Sequence, residues 1–565
     1  MTELHTSSLS PSGVKPCLLV NGLLRSLQGS ALDALEIEQV QTVQNTISTC
    51  LALVQCSLNR RQPIHRLHPE LLGEILQLAL PSTGGCLCEG VWNQAAALKA
   101  QRRAIMTFMQ VCGRWRAIVL EMAAFWTIVD MSSGSAWSAA CLERSKEAPL
   151  SVFLQYPLDA AQYLPLATRG HRIRDFFLDI PREHRAVFPT ELPTILPAVP
   201  NLECLSIVTR CYIWDSDRPA LDLERRQIIF PDPLPKLTRL VLKGPCWVPD
   251  GVPYHQLTHL HISQGMPLDL LSFLAFLGRC LSLEKLVLDD ISIRSFENLS
   301  DDCIPTVELP ALRLLTLGVD QSSQAASYVL ENIHLSSPVT LRIIGVFAID
   351  VLKDTRLHLP FTGTFDTLVI ECTGEYMAVQ AAGPHSGLLI HSVGTRYHWA
   401  NVRETGEALR KALDRVLPCR NIKRVTIDSS ACDATMRFLP DALSPVTLRL
   451  VDRCVQPGKG AQKERLHDMS TSGVSRFLDL GLTELEAWSM NDLLSPLPPI
   501  APGSLRKYTF YHVRVAGSEE SKLERHAMVE PPSHPGVDLR FVDNASWPKL
   551  DLPGVRPPCH LYDWK

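Results

Sequence analysis

Leu237-Thr238-Arg239-Leu240-Val241-Leu242 is the stretch that decides the fold, because its spacing recurs. An apolar residue is followed by two others, then by two apolar residues separated by one. The same spacing returns as Ile173/Phe176/Leu178, Leu202/Leu205/Ile207, Leu257/Leu260/Ile262, Leu283/Leu286/Leu288 and Leu312/Leu315/Leu317. The last two apolar residues of each copy share one face of a strand, and the first reaches in from the turn before it. The opening residues Ile173, Leu202, Leu237, Leu257, Leu283 and Leu312 stand 29, 35, 20, 26 and 29 residues apart. A period of roughly 20–29 residues with one strand per repeat is that of an irregular leucine-rich array. Weaker copies follow at Phe365/Leu368/Ile370, Ile422/Val425/Ile427 and Leu505/Tyr508/Phe510, and the alternation Val537/Leu539/Phe541 predicts one more strand. Leu270 to Cys280 reads as a buried helix between strands.

Upstream, the apolar period changes from two to three and four. Val40, Val43, Ile47, Cys50 or Leu51, Val54 and Leu58 form one helical stripe, opposite Glu38, Gln41, Gln44, Asn45, Ser48 and Gln55. Two readings stay open: the helix packs on a neighbour, or it forms a short coiled coil and self-associates through residues 36–60. Pro63 ends it. Pro69-Glu70 opens the next helix, with proline in the first turn and an acid complementing the dipole. Leu71, Leu72, Ile75, Leu76 and Leu80 give that helix an apolar face, and Pro81-Ser82-Thr83-Gly84-Gly85 stops it. A second helix is expected from about Arg102 to Ala117, with Met106, Met109 or Gln110, Val111, Trp115 and Ile118 setting its register, and Phe125-Trp126 closes the block. An insertion from Pro81 to Ala100 separates the two helices.

Composition removes several classes of function. With 565 residues, 46% hydrophobic and 20% charged, the chain is folded and too long for one core. Its 55 basic and 59 acidic residues leave a net charge of −4, which gives no global attraction to nucleic acid or anionic membrane. The 17 cysteines are scattered, and even the close pair Cys86 and Cys88 lacks zinc-site spacing, so they read as buried, reduced and apolar in behaviour. No signal sequence and no apolar run of ~20 residues is present, so the expected compartment is cytoplasm or nucleus. Asn298-Leu299-Ser300 and Asn544-Ala545-Ser546 then match the glycosylation pattern by chance.

A search for chemistry finds no phosphate-binding loop, no Gly-x-Ser-x-Gly elbow and no His-Glu-x-x-His. His255, His259 and His261 are the densest histidine group; His259 and His261 share a strand face, which permits a metal but reads better as an exposed polar face. Asp289-Asp290 and Asp301-Asp302 read as solvated loop residues, short of the oxygen set calcium needs. Arg102-Arg103 and Arg114-Trp115-Arg116 read as helix-surface charge. No catalytic, cofactor or metal site is expected.

Two phrases carry a resemblance. Pro63-Ile64-His65-Arg66-Leu67-His68-Pro69-Glu70-Leu71-Leu72-Gly73-Glu74-Ile75-Leu76, joined to Val111-Cys112-Gly113-Arg114-Trp115-Arg116-Ala117-Ile118-Val119 and Phe125-Trp126, resembles the F-box-like family common in mushroom-forming fungi. So does the phrase from Leu142-Glu143-Arg144-Ser145 through Ala148-Pro149-Leu150; the likeness covers roughly residues 36 to 155. His68 stands where the family usually has a first proline, a departure expected to loosen the helix start. The resemblance implies a substrate receptor of a ubiquitin ligase, docked on a Skp-type adaptor and through it on a cullin, with a protein substrate held by the array. Carried over by position, Leu67, Pro69, Leu71, Leu72 and Ile75 would contribute to adaptor docking, with Val111, Trp115 and Trp126 forming or extending the surface. A scaffold whose F-box has lost adaptor binding is the second reading, and an enzyme with an unrecognised site the third.

The expected fold is therefore α+β: an N-terminal helical F-box-like module followed by an irregular leucine-rich-repeat-like α/β array. The divisions are a flexible N-terminus at 1–30, an amphipathic helix at 31–62, the helical domain at 63–130, a linker at 131–150, the array at 151–515 and a proline-rich, charged tail at 516–565.

Overall fold

The computed structural model describes residues 21, 22, 25, 35–81, 91–155, 165–166, 168–181, 199–209, 234–244, 254–263, 270–291, 305–319, 323–335, 339–348, 350–351, 365–372, 376–384, 386–393, parts of 410–452, 482–489, 505–512 and 538–542. All of segment 1–30 except residues 21, 22 and 25, the pair Cys86 and Cys88, Asp301-Asp302, both glycosylation patterns and most of the tail lie outside the described residues. The chain mixes helix and sheet and divides into two units: residues 1–81 with 99–125, and residues 82–98 with 126–565.

The first unit is helical. Helix α1 spans Ile37–Arg61 and helix α2 spans Pro69–Leu78, joined by a 3-10 turn at Pro63–Arg66. Helix α3 runs over Val91–Val111, with residues 99–111 in this unit and 91–98 in the second, and helix α4 spans Gly113–Glu121. This differs from the single helix expected between Arg102 and Ala117. The helical pattern begins inside the expected insertion, at Val91, and breaks at Cys112, whose backbone is extended (φ −164°, ψ 169°). Cys112 then caps α4: its Sγ accepts the Trp115 backbone N–H at 3.5 Å. Among the described residues of this unit the buried hydrophobic side chains are few: Leu72, Leu76, Ile105, Ile118, Val119 and Phe125. The end of the Met122 side chain lies over Gly73, where a Cβ would fall 2.0 Å from its Sδ.

The second unit is built on one continuous sheet. Strand β1 (Ile128–Asp130) lies parallel to β2 (Leu150–Gln155). The order then follows the chain through β3 (Ile173–Ile180), β4 (Cys204–Thr209), β5 (Arg239–Lys243), β6 (His259–Ser263) and β7 (Lys285–Asp289), all parallel. A two-residue strand β8 (Val307–Glu308) pairs separately with β10 (Ile333–His334), while β9 (Leu314–Gly318) and β11 (Thr340–Ile344) continue the main sheet. There the order reverses. Beside β11 lies β14 (Gly387–Val393), then the antiparallel β13 (Tyr376–Ala382), then β12 (Thr367–Cys372). From β12 the parallel run resumes through β15 (Arg424–Ser429), β16 (Thr447–Asp452), β17 (Glu484–Ser489), β18 (Lys507–His512) and β19 (Asp538–Val542).

The recurring motif accounts for this architecture. In all six strong copies the three apolar side chains are buried. Successive strands match core residue to core residue, as in Leu240↔Leu260↔Leu286↔Leu315↔Leu341. The first motif residue closes a turn: Leu202, Leu237, Leu257, Leu283 and Leu312 each donate their backbone N–H to the carbonyl three residues earlier, at 2.9 to 3.2 Å. The next residue starts the lateral ladder, as in Thr238 N–H to Glu203 O at 2.9 Å and Glu284 N–H to Thr258 O at 2.8 Å. The expected buried helix is present over Leu270–Leu277 (helix α6), with Phe273, Leu274, Phe276 and Leu277 inside.

Three boundaries change. Residues 131–150 are not a linker: Met131–Ser133 forms a 3-10 turn, helix α5 covers Ser135–Arg144, and Leu150 already belongs to β2. Buried Ser145 accepts a hydrogen bond from Arg172 Nη2 at 2.7 Å, and Arg172 Nε donates to Ala148 O at 3.1 Å, tying this segment to the array. The helical domain stops at Phe125, because β1 and Trp126 belong to the second unit. The array runs past residue 515 to β19.

Gly244, just after β5, has φ +90°, and a Cβ there would meet Thr209 Oγ1 at 1.7 Å and Thr209 O at 2.4 Å. Gly244→Ala is therefore expected to destabilise the array by about 2 kcal/mol or more, through backbone strain and a clash with an immovable carbonyl. Urea denaturation followed by circular dichroism measures it; an unchanged midpoint would contradict this account of the turn.

Candidate functional site

The helical unit is where apolar side chains stay outside. Pro69 is the first helical residue of α2, and Leu72 N–H donates to His68 O at 3.0 Å to close the first turn. His68 has φ −61° and ψ 147°, a backbone that proline also adopts, and its ring pairs with Glu70. The helix start is thus fully formed despite the missing proline, against the looser start expected. Leu72, Gly73 and Leu76 form the inward face. Leu71, Ile75 and Leu78, spaced by four and three, form the outward face at 52%, 45% and 86% exposure. Ile64, Met106 and Val111 of the same unit are also exposed. Among the described residues of the strand array, only Leu281 and Val446 are comparably exposed large hydrophobics.

The residues carried over from the resemblance divide accordingly. Pro69, Leu71, Ile75 and Val111 are exposed, and Leu67 and Trp115 are half-buried. Leu72 is fully buried, so its part is to hold the helix rather than to touch a partner. Trp126 is also buried and lies in the second unit, tilted against Trp137 at 5.3 Å between ring centroids, with the Arg144 guanidinium 4.7 Å over its ring. It anchors the start of the array. Trp115 meets Phe108 edge-to-face at 6.1 Å.

Arg114 is a positioning residue that reading the sequence missed. Its two terminal nitrogens donate to the carbonyls of His65 and Leu67, so it fixes the turn that delivers the chain into α2. Arg116 Nε donates to Met109 O at 2.9 Å across the α3–α4 break. The triplet Arg114-Trp115-Arg116, read as surface charge, thus includes two guanidiniums satisfied by backbone carbonyls. The signal was their place beside Cys112, where the helical period breaks.

On the array, the face away from the leucines carries a row in register, four of its six residues polar: Ser206, Val241, His261, Val287, Thr316 and Arg342 on β4, β5, β6, β7, β9 and β11. All six are buried, which corrects the exposed face expected for the histidine pair: His261 has no solvent exposure. Burial pushes the His261 imidazole well below its ordinary value, helped by Lys243. His259 is lowered to about 4 by burial, with Lys285 and Arg239 adding to the effect. His391 on β14 is lowered by burial too. The row beside it, Arg239, His259 and Lys285, is half-buried, and Arg239 pairs with buried Asp175 at 3.0 Å. Among the described residues no group of three or more His, Cys, Asp or Glu is arranged to hold a metal ion, and no helix is long and apolar enough to cross a membrane. The cysteines differ partly from expectation: Cys141, Cys204 and Cys280 are buried, but Cys50 and Cys56 are exposed on α1.

No protein-family model matches the chain, and no curated protein matches its sequence. The reading of these faces therefore rests on their own geometry and chemistry.

Two outcomes follow. Arg114→Met leaves two carbonyls without their charged donor, an effect of about 1–3 kcal/mol, and is expected to speed amide hydrogen exchange over residues 63–78 while leaving the array's exchange unchanged. For His259, His261 and His391 the folded pKa lies below the unfolded one, so unfolding takes up protons as pH falls below 6.5, for His259 down to about 4. Their contribution to stability is fully present above pH 6.5 and is expected to be lost as pH drops below it, seen as a falling urea midpoint. His261→Leu should flatten the slope.

Proposed function

We propose that the protein is an F-box-like adaptor: the helical unit docks on a Skp-type adaptor of a cullin ubiquitin ligase, and the leucine-rich array recruits a protein substrate. The observation that carries the reading is the outward face of α2, where Leu71, Ile75 and Leu78 are exposed beside a formed, proline-started helix end. Burying a leucine or isoleucine against a partner is worth about 1.5–3 kcal/mol per side chain, so such a face supplies the apolar centre that protein interfaces use. Pro69, Leu71 and Ile75 make the direct contacts, and Val111 extends them. Leu67 and Trp115 support the same surface, while Leu72 holds α2 in place from inside. The array fits the receptor role because its recurring spacing of core leucines builds one continuous sheet, and repeat arrays present extended binding surfaces. In this role the chain itself performs no chemistry, and ubiquitin transfer belongs to the other subunits.

A scaffold without a ligase role is the second reading, favoured by the departure at His68. The two separate on one experiment: co-expression of the full chain with a Skp-type adaptor from a mushroom-forming fungus, followed by size-exclusion chromatography. Co-elution is expected for the wild type. Leu71→Asp/Ile75→Asp is expected to abolish it with helicity unchanged, since both side chains are exposed. Leu72→Asp would instead unfold the helical unit. A folded wild type that never co-elutes sinks the ligase reading.

A further inference from the structure

Helix α1 presents a second apolar surface, unrelated to adaptor docking. None of its 25 residues is buried. Val40, Leu51, Val54 and Leu58 are exposed, as are Cys50 and Cys56. The stripe from Val40 to Leu58 spans about 27 Å, and an apolar helix stripe of that length is normally covered. We propose that the cover is the same helix of a second copy of the chain, running antiparallel.

The direction follows from charge. Between Gln39 and Asn59 the helix carries no charged residue, while Glu36 and Glu38 stand at its start and Arg60 and Arg61 at its end. A parallel pair would set acid against acid and base against base at the two ends. An antiparallel pair sets each acidic start beside a basic end. The heptad pattern gives the same answer independently. Val40, Ile47 and Val54 repeat at seven residues, and so do Val43, Cys50 and Ser57, three further on; these are the two seam positions of a coiled coil. Antiparallel helices set one seam position against the other. With Ile47 facing the partner's Cys50, Val43 faces the partner's Val54 and Val40 the partner's Ser57. In that register Glu36 falls opposite the partner's Arg61, so the apolar seam and the charged ends agree. Leu51 and Leu58 flank the seam.

The test is the oligomeric state of the full chain by sedimentation equilibrium. The wild type is expected to dimerise at micromolar concentration. Glu36→Lys/Glu38→Lys alone, and Arg60→Glu/Arg61→Glu alone, are each expected to weaken the dimer about tenfold or more, because both ends become like-charged. Mixing the two variants restores it. In a parallel pair each single variant only exchanges one repulsion for another, so unchanged dimers would overturn the arrangement. Disulfide trapping in a Cys50→Ser/Cys56→Ser background gives a second readout. Val43→Cys and Val54→Cys chains should cross-link to each other and not to themselves, since like positions lie about 16 Å apart along the antiparallel pair, beyond disulfide reach. Self-linking of either variant through the new cysteine, or a wild type that stays monomeric at about 100 μM, would sink the proposal.

Discussion

A five-residue strand cannot bury its own leucines, and everything in the second unit follows from that. Each copy of the motif offers two apolar side chains on one face of a strand and a third from the turn before it. These become interior only when the next copy lies alongside, because the strand itself has no thickness to cover them. The lateral bond that begins at the residue after the first leucine, as at Thr238 and Glu284, fixes where the next strand must start. Core rows then align across the sheet without any constraint on what lies between the strands, which is why steps from 20 to 35 residues coexist in one array.

The helical unit has the opposite economy. Its interior is a handful of side chains around Leu72, Ile118 and Phe125, closed down by Gly73 beneath Met122. Such a small core leaves apolar residues over, and here they sit on the outer face of α2 and along α1. The same shortage explains Arg114: where apolar packing is thin, a guanidinium bridging two carbonyls holds a turn that side-chain packing alone would leave loose.

Much of the array was legible because leucine in the first motif position announces a strand. The residues that broke the pattern hid their strands. Ser337-Pro338-Val339-Thr340-Leu341-Arg342 and Ser444-Pro445-Val446-Thr447-Leu448-Arg449 are the same six-residue phrase, and both lead into strands, β11 and β16, yet proline stands where the leucine is expected. Strand β13, Tyr376-Met377-Ala378-Val379-Gln380-Ala381-Ala382, is buried along nearly its whole length and so shows no alternation. The helix face of α2 was readable as apolar, but which of its leucines point inward depends on where α4 crosses, and that is a matter of tertiary packing. The histidine pair failed for a related reason: a polar residue on a strand says which face it is on, not whether that face is covered.

The reversal at β14, β13 and β12 gives the array a splice. Elsewhere in the main sheet each strand adds to the preceding strand of that sheet, the short β8–β10 pair standing aside, so growth is a sequence of local steps. At the splice, β11 must wait for β14, whose first residue follows its last by 43 positions, and β15 must pair with β12 across the intervening hairpin. Closing such a loop costs entropy before any contact repays it. In kinetic terms the array is two runs of cooperative units joined by one slow bond, and under load or during synthesis it has a natural parting line between β11 and β14.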